Sequence, residues 1–328
     1  MRGIAALLVV FSHILDERYS ALGALGVGIF FVISGFIMTV TAWDSFATVD
    51  APREFLLRRI QRVFPLYWIA LSIKIFIDSR QKDFVWTTGS YFLLPVVSPN
   101  GLVEPVHGVG WSLVWEMMFY YIFALSLSLQ RRSGLVLILS ALVALTFAGY
   151  LTTFRSVAWH GSSIFLLFAL GILIGIVTQV SAIDRSRHGL LGGGLALTAL
   201  VIGIAIVVFQ IREGWFEFLE LVLSGAIILA AAIAPNISPS SWVLKTMHLI
   251  GDASYSLYLT HTLTFSLGRS ILKRAHLLSL EASLWPVMIV AACVVGVLVH
   301  MVVEKRIIAY FRVRTSRGRA IAAKAEVS

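Results

Sequence analysis

GALGVGIFFVISGFIMTVTAW, residues 23–43, contains no charged side chain. A helix needs roughly 20 apolar residues to cross the hydrocarbon core of a bilayer, so this run reads as a membrane span. Runs of the same kind recur along the chain. Hydropathy places about ten candidate helices at 1–15, 23–43, 60–78, 107–129, 134–151, 161–180, 189–209, 215–235, 249–272 and 284–303. The expected fold class is all-α, a polytopic integral membrane helix bundle.

Composition agrees with that reading. Apolar residues fill 59% of the 328 positions and charged residues 13%, about half the charged fraction of a soluble domain. Mean hydropathy is +0.90. The single cysteine, Cys293, excludes an intrachain disulfide framework and a multi-cysteine metal site. A net charge of +9 would suit nucleic acid, but the basic residues flank apolar segments, so the expected partner is the lipid bilayer and no nucleic acid. With both termini in the cytoplasm, roughly 17 of the 26 Lys and Arg fall on that side and roughly 7 on the other, as the positive-inside rule requires.

The first apolar run lacks a basic n-region and a small-residue cleavage site, so it does not read as a signal peptide. It begins abruptly at Met1 and is short for a span, which places the expected start of the natural chain upstream. Segment 84–97, FVWTTGSYFLLPVV, is apolar but short, and reads as an interfacial or re-entrant element. Residues 1–311 are expected to form one transmembrane domain. Residues 312–328 read as a basic cytoplasmic tail lying on anionic lipid.

Ionisable groups are costly inside a bilayer, so those within apolar helices mark candidate sites. Arg2 and His13 stand eleven positions apart. That is three turns plus about 20°, which puts both on one helix face roughly 16 Å apart along the axis. A cation and a base so arranged suit a long substrate with a charged head and a reactive tip. An ordinary snorkelling flank and a satisfied interface histidine explain the pair equally well. Arg59 and Arg62, at the mouth of the third span, share a helix face, while Arg58 turns away. Guanidinium forks bind phosphate bidentately, although the positive-inside rule alone accounts for such a cluster.

Glu116 lies deep in GVGWSLVWEMMFYY, residues 108–121, with no basic neighbour in sequence. It is expected at the depth of His13, where a carboxylate would hold the imidazole in one tautomer and raise its basicity. Tyr255, Tyr258 and His261 recur every three residues along the ninth span, either lining a substrate cavity or joining helices. Ser34, Tyr67 and Trp111 are further candidate cavity residues. The glycines around Ser34 read first as helix-packing positions. No phosphate-binding loop, zinc-binding H-E-x-x-H or nucleophile elbow occurs, and no metal is expected.

Five ordered stretches carry a resemblance: RGIAALLVVFSH (2–13), GVGIFFVISGFIM (26–38), FLLRRIQRVFPLYW (55–68), GVGWSLVWEMMFYY (108–121) and SYSLYLTH (254–261). Together they resemble the membrane-bound acyltransferase family 3, in particular its stand-alone bacterial exopolysaccharide O-acetyltransferases. The resemblance implies that Arg2 and His13 match the Arg and catalytic His of the family's first helix. It also implies that Arg59 and Arg62 match its Arg-x-x-Arg pair, and Glu116 the acid of its Trp-x-x-x-x-Glu stretch. It further implies an acyl-CoA donor, acetyl-CoA by default, a glycan or glycolipid acceptor, and a bacterial inner membrane with both termini cytoplasmic. Two departures stand out. Gly28 occupies the place of the family's usual acidic residue, and the family's lead-in to the first helix is expected upstream of Met1; a stand-alone member without an SGNH-type esterase domain is expected.

The expected chemistry follows from these assignments. Arg2, Arg59 and Arg62 hold the phosphates of the donor, while His13, oriented by Glu116, deprotonates a sugar hydroxyl that attacks the thioester. A transporter or flippase using the same groups as a relay is the alternative. The absence of inverted repeats or paired Gly/Pro-broken helices counts against it.

Overall fold

A computed structural model of the chain describes residues 1–15, 19–78, 83–151, 164–180, 222–229 and 241–314. Among these residues the regular elements are helical, apart from an isolated bridge between Val97 and Val103. In chain order they are α1 (Arg2–Ile14), α2 (Ser20–Thr41), α3 (Ala51–Ile77), α4 (Phe84–Tyr91), α5 (Trp111–Ser126) and α6 (Arg131–Leu151). There follow α7 (Ile164–Val180), α8 (222–229), α9 (Trp242–Asp252), α10 (Ser254–Arg274) and α11 (Glu281–Val299). A π-turn, His300–Glu304, carries α11 into α12 (305–314).

Five described helical stretches are long and apolar enough to cross a bilayer: Ser20–Thr41, Ala51–Ile77, Gly108–Ser126, Arg131–Gly149 and Ser283–Arg314. The chain is an all-α membrane protein. Of the expected spans, 189–209 lies outside the described residues, and 215–235 is described only at α8. The tail is described only as far as residue 314. Helix α10 has 21 residues but carries too many hydroxyls and basic groups to join the five.

Two boundaries differ from expectation in ways that matter for the site. Helix α3 starts at Ala51, not 60, and runs for 27 residues. Pro52 sits in its first turn, where a missing N–H breaks no helical bond. Arg59 and Arg62 therefore lie about two to three turns inside the helix, not at its mouth. The loop expected between the eighth and ninth spans contains α9, capped by the Ser241 hydroxyl accepting from the Leu244 N–H at 3.2 Å. Segment 84–97 folds as α4 followed by irregular chain, with Phe84, Phe92 and Leu94 exposed.

Helices in lipid associate through close packing and hydrogen bonds more than through the hydrophobic effect. Helices α2 and α7 show why small residues are needed. A Cβ on Gly35 would lie 2.2 Å from the Phe168 carbonyl oxygen, and one on Gly171 would lie 2.2 Å from that of Val32. Around this contact Phe119 stacks on Phe168 at 4.2 Å between ring centroids, and Phe31 meets Phe168 at 4.6 Å. Helix α1 packs between α2, α9 and α10. Its Gly3 lies so close to α9 that a Cβ would come within 3.0 Å of the Met247 carbonyl, which fixes the depth of the adjacent Arg2.

Candidate active site

Arg2, Arg59, Arg62 and Glu116 line one small cavity of about 70 Å³, together with Ser34, Tyr120 and Tyr255. Five helices supply it: α1 gives Arg2, α2 gives Ser34, α3 gives the two other arginines, α5 gives Glu116 and Tyr120, and α10 gives Tyr255. The Glu116 carboxylate accepts from the Tyr120 hydroxyl at 2.6 Å and from the Ser34 hydroxyl at 3.2 Å. The Arg59 guanidinium lies over the rings of Phe55 at 5.4 Å and Tyr120 at 5.7 Å. Arg58 faces outward and pairs with Glu54 at 3.2 Å.

Three guanidiniums around one cavity repel each other, and one carboxylate offsets only part of that charge. The Nε atoms of Arg2 and Arg59 are moreover buried without an acceptor among the described residues. Unpaired buried donors are expensive, so the cavity is built to receive something that accepts hydrogen bonds and carries negative charge.

Arg2 also lines two neighbouring cavities. One, of about 70 Å³, extends to Ser112, Tyr255 and Tyr258, with Glu116 again on its wall. The other, of about 810 Å³, is more open and adds Arg62, His248, His300, Glu304 and Lys305. The Tyr258 hydroxyl donates to the Val109 carbonyl at 2.6 Å and is bonded to Ser112 at 2.7 Å. The Tyr255 hydroxyl donates to the Val63 carbonyl at 2.6 Å, tying α10 to α3. The tyrosine stripe is thus both cavity wall and inter-helix bond.

His13 stands at the other end of α1 and is exposed. Its Nδ1 lies 2.8 Å from the Val9 carbonyl. A carbonyl can only accept, so Nδ1 carries the proton and Nε2 is left as the basic nitrogen. His261 faces it edge-on, with ring centroids 4.8 Å apart. His261 is fully buried, and its Nε2 has no partner among the described residues. A line of polar groups therefore runs from the arginines past Tyr258 to His261, whose ring lies 6.1 Å from that of Tyr258, and on to His13.

The expected pairing of Glu116 with His13 is not among the contacts of either residue. Glu116 shares its cavity with Arg2, three turns of α1 away from His13. Its bonds to Ser34 of α2 and Tyr120 of its own helix hold the Glu116 carboxylate at the arginine cavity. The backbone carbonyl of Val9 does for the His13 tautomer what the carboxylate was expected to do. Two candidate cavity residues also find other work. Tyr67 is fully buried and donates to the Ser90 carbonyl at 2.9 Å. Trp111 opens α5 and lines none of the three cavities.

Several polar groups escaped sequence reading. Tyr120 is one turn after Glu116, the spacing at which helical neighbours touch. His107 is buried and bonds the Leu259 carbonyl through Nε2 at 2.9 Å, fastening the loop before α5 to α10. His300 and Glu304 form a buried pair at 2.7 Å in the π-turn. Their H-x-x-x-E spacing is visible in sequence, but it straddles the end of the last expected span.

Residues 1–304 match the family described as "Acyltransferase domain". The chain is 30% identical to the exopolysaccharide production protein ExoZ of Rhizobium meliloti (strain 1021), over 90% of this chain and 93% of that protein. It is 24% identical to the acyltransferase MdmB of Streptomyces mycarofaciens, over 93% of this chain and 89% of that one. No solved structure matches it.

Proposed function

The chain belongs to acyltransferase family 3 and is an acyl-transferring enzyme, and from that premise we propose that it moves an acyl group, acetyl by default, from cytoplasmic acyl-CoA to a hydroxyl of an exopolysaccharide or other cell-surface glycan. The setting is the bacterial inner membrane, with both termini cytoplasmic and the basic tail on the inner leaflet. The likeness to an exopolysaccharide production protein supports the acceptor class. The observation that carries the reading is that Arg2 and Arg59, whose buried Nε atoms have no acceptor among the described residues, line one cavity with Arg62.

In this mechanism Arg2, Arg59 and Arg62 bind the phosphates of the donor. Glu116 holds the arginine cluster together by offsetting their repulsion and by accepting from Ser34 and Tyr120. The thin pantetheine arm follows the polar line past Tyr258, spanning the roughly 16 Å to His13. His13 Nε2 takes the proton of the sugar hydroxyl as its oxygen bonds to the thioester carbonyl carbon. The tetrahedral intermediate collapses with cleavage of the C–S bond, and the proton passes from His13 to the departing thiolate. His261, edge-on to His13, keeps that ring in place.

The test uses protein in nanodiscs with radiolabelled acetyl-CoA and a crude glycan fraction. His13→Ala is expected to bind donor as wild type does and to lose turnover by about 10²- to 10⁴-fold, the usual worth of general-base help. Arg59→Ala/Arg62→Ala is expected to lose donor binding. Wild-type protein that is folded yet binds no acetyl-CoA would overturn the proposal.

A further inference from the structure

Beside two of the three arginines, Arg2 and Arg62, the molecule holds a second arrangement of buried ionisable groups that the mechanism above does not use. In the π-turn, Glu304 Oε2 lies 2.7 Å from His300 Nδ1 and accepts from the Ser256 hydroxyl of α10 at 2.6 Å. Both ionisable residues are buried, Glu304 at 3% exposure and His300 at 6%. The next two side chains of the turn, Met301 and Val302, point outward and are half exposed.

A π-turn widens the helix by one residue, gives up regular hydrogen bonds and recurs at functional positions. Here it turns His300 and Glu304 inward together. An ionised carboxylate only accepts, so Nδ1 carries the proton and the free nitrogen is Nε2. That nitrogen is buried and has no partner among the described residues. His300 and Glu304 both line the cavity of about 810 Å³, which also contains Arg2, Arg62 and Lys305 and, on the acidic side, Asp252.

A staple between α10 and the π-turn would need only the Ser256–Glu304 bond. It would not leave the second ring nitrogen buried without a partner, among the described residues, on a side chain that lines a cavity. We infer that His300 is a donor-binding residue: its Nε2–H, with Nδ1–H held by Glu304, donates to a phosphate oxygen of the acyl-CoA in the open cavity beside Arg2, Arg62 and Lys305. Glu304 and Ser256 are then positioning residues, which fix the orientation of the ring. This assignment rests on the acyl-CoA reading and adds a specific subsite to it.

The experiment compares His300→Asn with wild type in nanodiscs. An Asn amide reaches the place of Nδ1, retaining the bond to Glu304, but has nothing at Nε2. Affinity for acetyl-CoA is expected to fall by roughly 10- to 100-fold, the loss of a charge-assisted hydrogen bond. At saturating donor kcat should stay near wild type. With acetyl-pantetheine, which lacks the nucleotide and its phosphates, wild type and variant should behave alike. His300→Gln, whose amide reaches the place of Nε2, should recover part of the acetyl-CoA affinity.

Wild-type binding of acetyl-CoA with equal affinity in His300→Asn would overturn the His300 assignment and leave the enzyme reading standing. So would an equal loss for acetyl-pantetheine, which would mark a structural role. Absence of acetyl-CoA binding by wild type would overturn both.

Discussion

Two histidines at opposite ends of one polar line are held on opposite terms. His13 is exposed, bonded through Nδ1 to a backbone carbonyl of its own helix, and faces another imidazole, His261. His300 is buried, bonded through Nδ1 to a carboxylate, and lines a cavity shared with Arg2, Arg62, Lys305 and Asp252. A carbonyl fixes a tautomer without adding charge, whereas a carboxylate brings a formal negative charge up to the ring. Under the proposed mechanism the same residue type serves chemistry at one end and donor binding at the other, and the group behind each ring differs accordingly.

The largest expected effects divide along that line. His13→Ala should remove turnover by two to four orders of magnitude and spare donor affinity. The arginine pair and His300→Asn should do the reverse, losing affinity while saturating kcat survives. A variant that shifted both quantities equally at either end would break the comparison.

Glu116→Gln sharpens it further, because Glu116 belongs to the arginine end by contact and to the histidine end by expectation. Gln keeps an acceptor for Ser34 and Tyr120 but removes the one carboxylate of the arginine cavity. The expected result is a lower melting temperature and a several-fold change in donor KM, with kcat at saturating donor within about tenfold of wild type. Collapse of kcat with unchanged donor binding would restore a working link from Glu116 to His13. Donor titration and thermal melting of the same nanodisc sample separate the two outcomes.

The membrane bundle was legible because bilayer thickness imposes a length on every apolar run, as in 23–43. The arginine cluster was legible too, since Arg59 and Arg62 share a face whatever the helix start. Depth was less so. Whether α3 begins at Ala51 or 60 depends on a proline-started first turn, not on hydropathy, and that difference moves the arginines to the level of Glu116. The π-turn was hidden for a related reason. A hydropathy window closes where Glu304, Lys305 and Arg306 begin, so a buried pair at that edge looks like an ordinary charged flank. Partners from distant helices, such as Ser256 with Glu304 or His261 with His13, leave no trace in spacing along one helix.

The smallest effect is expected at a residue serving neither end. Tyr67 is fully buried beside Gly110, where an added Cβ would come 2.9 Å from its ring, so the ring itself packs the start of α5 against α3. Its hydroxyl contributes a single bond to the Ser90 carbonyl, which also accepts from the Leu93 N–H at 3.2 Å. Tyr67→Phe keeps the ring and does not orphan that carbonyl. The cost should be about 1 kcal/mol of stability, read as a small drop in melting temperature. Donor affinity and kcat per folded protein should stay at wild type. A tenfold loss of either would place Tyr67 within reach of substrate, and would extend the working line outward past Tyr258 to the face formed by α3 and α4.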